Sequence, residues 1–244
     1  GVSLVMLVAI ASVRLLVRLA QVPAIRVELV DTCAIDVSGL VAVLGSDQES
    51  VLALREVCIR ALSLLCQCQA ARDAVVQQEH GLVSIKRALL ESAAAGDIAL
   101  LVDSLRLLLH ALTDQMSLSM LLTEDVAHVV IDACTSPPHP SPDLQPLFQQ
   151  AVKIAFRCIY FMAMSDEGEA LVCRIGALKI AVEQLRSAAD PAQLDTEILR
   201  RAMNALANLT LSEANKAMAN ELGLTEICAK ILLEEAPFAE PEIC

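Results

Sequence analysis

The stretch ILRRAMNALANLTLSEANKAMANELGLTEICAKILLEE, Ile198–Glu235, decides the fold. It reads as a long helix, a polar turn, a short helix, a glycine and a third helix. Leu, Ala and Glu are its commonest residues, all strong helix formers. Ile198, Ala202, Ala205, Leu206 and Leu209 recur at three- and four-residue spacing, which lays one apolar stripe along the long helix.

The same grammar recurs upstream, in AVKIAFRCIYFMAMSDEGEALVCRIGALKIAVEQL (Ala151–Leu185) and in VLALREVCIRALSLLCQCQAARDAVVQQEHGLVSIKRALL (Val51–Leu90). The last strong apolar residues of the long helices are Leu19, Leu65, Leu112, Met162 and Leu209, set 46, 47, 50 and 47 residues apart. Counting back three, four, seven and eleven positions from each gives the expected buried face. It comprises Leu206, Ala205, Ala202 and Ile198; Ile159, Cys158, Ala155 and Ala151; Leu109, Leu108, Leu105 and Leu101; Leu62, Ala61, Cys58 and Leu54; and Leu16, Leu15, Ser12 and Val8. Only Ser12 breaks the apolar pattern. Gly81, Gly176 and Gly223 fall 16, 14 and 14 residues past their anchors, where each is expected to end the short helix with a positive φ. The longest interval contains SPPHPSP, Ser136–Pro142, which reads as a loop insertion over 135–142.

A long helix, a glycine-marked short helix and a medium helix resemble the three-helix armadillo repeat, and Ala202–Gly223 (AMNALANLTLSEANKAMANELG) is especially similar to it. A period near 47 residues also overlaps the HEAT class of this superfamily. The resemblance implies an all-α, right-handed α-solenoid of about five repeats in a single domain over 1–244. The approximate repeat bounds are 1–45, 46–92, 93–142, 143–189 and 190–244. The first element, Val2–Ala20, is a long helix of the third type, so the array is expected to start mid-repeat. Further repeats or another subunit would then cover that end.

Composition agrees with close-packed helices. Hydrophobic residues make up 56% of the 244, aromatic residues 2%, and Gly and Pro only 8 and 9. The net charge of -12 argues against nucleic acid and anionic lipid as partners. Arg14 interrupts the apolar opening well short of the roughly 18 residues that insert across a bilayer. Nine dispersed cysteines suggest reduced thiols in a cytoplasmic, cytosol-like compartment, organellar or cytoskeletal assembly being the variants of that expectation.

No enzyme is expected. His80, His110, His128 and His139 form no paired metal motif, and Cys66 and Cys68 lack the further ligands a zinc site needs, so neither metal nor cofactor is expected. Acidic runs at Asp166–Glu169 and Glu234–Glu242 read as a helix start and a solvated tail. There is no phosphate-binding glycine loop.

The resemblance also implies a site, because in armadillo proteins the long third helices line the concave surface. Its rows here are Arg18, Leu64, Ala111, Phe161 and Asn208; Arg14, Arg60, Leu107, Arg157 and Asn204; and Ile10, Glu56, Asp103, Lys153 and Arg200. The repeated Trp and Asn of importin-alpha-like members are missing, since Trp is absent and Asn appears once in the equivalent row. The partner-binding residues expected are therefore Arg14, Arg18, Arg60, Lys153, Arg157, Arg200, Asn204 and Asn208. They suit an acidic extended segment of a protein partner, as beta-catenin-like members bind. The implied function is a non-enzymatic scaffold or structural subunit of a larger assembly. A chaperone-cofactor clamp and the targeting module of a larger enzyme are the alternatives.

Overall fold

The structure, a computed structural model, describes residues 4–32, 35–46, 48, 51–78, 80–135, 142–188 and 195–233. The chain is all-helical there, with fifteen helices and no strand among the described residues. Contacts divide it into two compact units, Gly1–Val126 and Ala127–Cys244. Their boundary falls inside a helix, away from the expected repeat bounds at 92 and 142. Most of the proline-rich segment, with His139, and the acidic tail lie outside the described residues.

The first unit carries α1 (Leu4–Ala20), α2 (Pro23–Asp31), α3 (Val37–Gly45), α4 (Leu52–Leu65), α5 (Gln69–Val76), α6 (Gly81–Ala95), α7 (Ile98–Leu112) and α8 (Gln115–Leu121). The helix α9 (Glu124–Cys134) spans the boundary. The second unit continues with α10 (Gln145–Met162), α11 (Asp166–Ile175), α12 (Ala177–Ala188), α13 (Thr196–Leu209), α14 (Glu213–Glu221) and α15 (Leu224–Leu233).

Helix starts follow local chemistry. Asp36, Asp97, Asp114, Ser165, Asp195 and Ser212 each accept a hydrogen bond from a backbone N–H of the first helical turn, which would otherwise lack a partner. The ends at Gly96 (φ 67°), Gly176 (φ 113°) and Gly223 (φ 83°) use the left-handed conformation that glycine adopts without a Cβ penalty.

In the first unit α4 lies beside both α1 and α7, and α3 and α6 form a neighbouring pair. In the second, α13 lies against α10 and α12. The registers read for α4, α7, α10 and α13 hold: Leu65, Leu112, Met162 and Leu209 are buried, together with Cys58, Leu105, Ala155 and Ala202 one or two turns back. Burying an aliphatic side chain of this size contributes about 1.5–3 kcal/mol, so these stripes decide which face turns inward.

The register of α1 is corrected. Ile10, Val17 and Ala20 are its buried residues, whereas Val8, Leu15 and Leu19 are exposed, and so is Ser12. Ile10, expected in the outward rows, faces inward. A helix apolar on nearly every side offers several stripes of helical period, and the contact with α4 chooses among them. The row expected to face outward from α7 is corrected too. Asp103, Leu107 and Ala111 are buried, because α4, α5, α6 and α8 all pack on this helix.

Gly81 departs from its expected role. Its φ is not positive, and it opens α6 instead of closing α5. A Cβ there would stand 2.0 Å from the carbonyl oxygen of Val75, so the residue is small because two backbone segments meet.

Candidate partner-binding surfaces

In the first unit, Arg14, Val17, Arg18 and Gln21 of the α1 edge and Glu56, Val57 and Arg60 of α4 line one concavity of ≈ 350 Å³. Helical spacing puts Arg14 and Arg18 one turn apart on α1, beside the buried Val17. Both arginines are exposed and have no ion pair among the described residues.

Arg60 is differently placed. Its Nε donates to Asp103 Oδ2 at 3.0 Å, while Arg106 Nη1 and Ser63 Oγ donate to Asp103 Oδ1 at 2.9 and 3.2 Å. Asp103 is 6% exposed, so these donors stand in for the water that its carboxylate has lost. Arg60 is therefore half a structural residue and half a surface cation.

The second unit brings Lys153 and Arg157 of α10 beside the start of α13. Lys153 Nζ pairs with Asp195 at 2.8 Å, and Asp195 Oδ1 also accepts from the N–H groups of Glu197 and Ile198 at 3.1 Å each. Glu197 takes Arg200 at 2.6 Å and Arg201 at 2.7 Å. Burial works against the charge of both carboxyls. The Lys153 contact and the helix N–H groups nevertheless hold Asp195 below its ordinary pKa, and the two arginines do the same for Glu197.

Arg157 has no ion pair among the described residues. Partial burial, then the nearby positive charges of Arg201 and Arg200, push its pKa down, with Cys158 and Glu197 opposing. It stays charged at neutral pH. Among the described residues, four cations thus face two carboxylates on this surface.

Asn204 is exposed. Asn208, expected to face a ligand, instead donates from Nδ2 to the carbonyl oxygen of Tyr160 at 2.9 Å. That carbonyl lies in the last turn of α10, where backbone acceptors lose their intrahelical donors. The Asn208 amide therefore ties α13 to the end of α10.

The structure thus brings Arg14, Arg18 and Arg60 together in the first unit, and Lys153, Arg157 and Arg200 together in the second. Sequence reading missed Gln21, Arg106 and Arg201. The i,i+4 spacing from Glu197 to Arg201 and the i,i+3 spacing from Asp103 to Arg106 were the available signals.

Elsewhere, Cys58, Cys66, Cys134 and Cys158 are buried thiols. Burial pushes Cys58 up to about 11 and Cys66 up to about 12, which keeps both protonated at neutral pH. Among the described residues no group of three or more His, Cys, Asp or Glu is placed to hold a metal ion, and no single helix is long and apolar enough to cross a membrane.

No family model matches the chain, and no curated protein matches it. Among solved structures, it is similar to two engineered proteins from the Northeast Structural Genomics Consortium. One has a TM-score of 0.66 at 20% identity, over 91% of this chain and 82% of its own. The other has 0.65 at 19%, over 91% and 84%. At such identities the likeness is one of helical fold alone.

Proposed function

We propose that the chain is an armadillo-like, right-handed α-solenoid serving as a non-enzymatic interaction scaffold or structural subunit, with an acidic extended segment of a protein partner as its ligand. The observation that carries the reading is the convergence of Arg14, Arg18 and Arg60 on one concavity of a chain whose net charge is -12. Arginine suits this task because its planar fork pairs carboxylates in two-point contacts and sheds water readily. The recurrence of long, short and medium helices supports the solenoid, and the dispersed cysteines support a cytosol-like setting.

The same reading explains Leu4, Val8, Leu15 and Leu19. They make an exposed apolar seam along α1, suited to contact with a further repeat or another subunit.

The test uses a fluorescein-labelled oligo-glutamate peptide followed by anisotropy. Binding is expected to weaken at least tenfold in Arg14→Glu/Arg18→Glu and to fall as salt rises, while the helical melt stays in place. Equal binding by the double variant overturns the assignment. Arg60 is the poorer probe, since reversing its charge also disturbs buried Asp103.

A further inference from the structure

A concavity of ≈ 610 Å³ in the second unit lies between α11 and α14 and shares no residue with the basic surfaces. Glu169 lines it, a carboxylate only 7% exposed. Burying a carboxylate is costly unless a cation pairs with it. Yet Glu169 has no ion pair among the described residues. Its donors are neutral and both fall on Oε1: Asn215 Nδ2 at 2.7 Å and the Ser212 N–H at 3.3 Å. Oε2 receives no donor among the described residues, so the charge is buried without being answered.

The rest of the lining repeats that bias. Asp166, one turn earlier in α11, has no ion pair among the described residues either. Asn215 directs its Nδ2 at Glu169 and, at 3.2 Å, at Cys173 Sγ, which leaves Oδ1 as a further open acceptor. Cys173 adds no charge: burial, then the nearby Glu169, push its thiol up to about 11, so it is neutral at neutral pH. Among the described residues the one cation on this lining is Arg174, exposed at the end of α11 and paired with neither carboxylate.

The chemistry of these groups defines the ligand. Glu169 Oε2, the Asp166 carboxylate and Asn215 Oδ1 are acceptors, and a primary ammonium brings three N–H donors with one positive charge. Leu211 and Met218, 61% and 47% exposed, supply walls on which an aliphatic stem would lose its water. A net charge of -12 favours the approach of a cation. We propose that this concavity binds a primary ammonium carried on a short aliphatic stem, from a protein's lysine side chain or a free alkylamine.

The experiment titrates the 15N-labelled full chain with Nα-acetyl-lysine methylamide and with butylammonium. The neutral Nε-acetylated lysine derivative is the control. Saturable shifts are expected at the Glu169, Arg174 and Asn215 amides, with the control about tenfold weaker. Tighter binding of the lysine derivative assigns the site to a protein's lysine, and equal or tighter butylammonium to a free amine. Glu169→Gln keeps the shape and an acceptor for Asn215 while removing the charge, and should weaken both amines about tenfold. Arg174→Gln removes a repelling cation and should tighten both about threefold. Thermal melts show whether each variant folds, and exposed Arg174 carries the test where Glu169→Gln melts early. Absence of saturable shifts, equal binding by the control, wild-type affinity in folded Glu169→Gln, or no tightening in Arg174→Gln overturns the proposal.

Discussion

The turn between short and medium helix is built in two ways in the two units. In the second, Gly176 closes α11 at φ 113° and Gly223 follows α14 at φ 83°; a Cβ on Gly176 would meet nothing within 4 Å. In the first, Gly81 has no positive φ, and a Cβ on it would strike the Val75 carbonyl at 2.0 Å. One corner needs glycine for its dihedral angles, the other for the space it leaves. Residues that match in sequence can thus answer different physical demands. The basic surfaces differ in the same manner: Arg60 binds a buried carboxylate, whereas the cations of the second unit share partly buried ones.

The sharpest way to break the corner comparison is to add a methyl to each. Gly81→Ala forces two backbone segments apart and is expected to cost about 3 kcal/mol, in the range of overpacked sites. Gly176→Ala meets no clash and should lose only about 1–2 kcal/mol, the penalty for an L-residue in the left-handed region. Urea denaturation measures both. Equal losses would erase the distinction.

Charge reversal makes the corresponding test on the basic surfaces. Arg60→Glu sets a carboxylate against Asp103, which keeps only Arg106 and Ser63. Removing one partner of a buried pair costs about 3–5 kcal/mol; the remaining donors and the half-exposed Arg60 reduce this to about 2 kcal/mol. Arg14→Glu, on the exposed edge of the same concavity, is expected to stay within about 0.5 kcal/mol of wild type.

These contrasts show what could be read in advance. Four of the five helix registers were legible because α4, α7, α10 and α13 each carry one dense aliphatic stripe, from Leu54 to Leu65 in α4 and from Ile198 to Leu209 in α13. The register of α1 was not, since Val8, Leu15 and Leu19 compete with Ile10 and Val17, and only the neighbouring α4 settles which stripe is buried. The arginine convergence was legible as spacing along helices. Its counterions were not, because Asp103 lies about forty residues from Ser63 and Arg60 and meets them only through the packing of α7 on α4. For the same reason, nothing local marked Asn208 as the donor to Tyr160.

Acid should act on the second unit through Asp195 and Glu197. Both carboxyls are held below their ordinary pKa in the folded chain, so their contribution is complete above the unfolded value near 4 and is lost as pH falls through the lower folded values. Asp195→Asn retains a good helix-capping residue but removes the charge opposite Lys153. It should flatten the acid limb of the stability profile below pH ~4 by about 1 kcal/mol or less, given partial solvent screening. An acid limb identical to wild type would show that Asp195 contributes no such linkage.

The smallest effect carries the opposite sign. Arg157 lies near Arg200 and Arg201, and Glu197, the carboxylate acting on it among the described residues, is already shared between those two. Neutralising it in Arg157→Gln removes like-charge repulsion while keeping much of the aliphatic stem, so the second unit should gain up to about 0.5 kcal/mol at low salt. The gain should shrink as salt rises, because screening weakens the repulsion that the substitution relieves. A loss of stability at low salt would mean that Arg157 is held by favourable contacts, making it like Arg60 after all. A gain leaves Arg157 as a cation whose charge the fold does not use, the condition under which a partner's carboxylate would find it available.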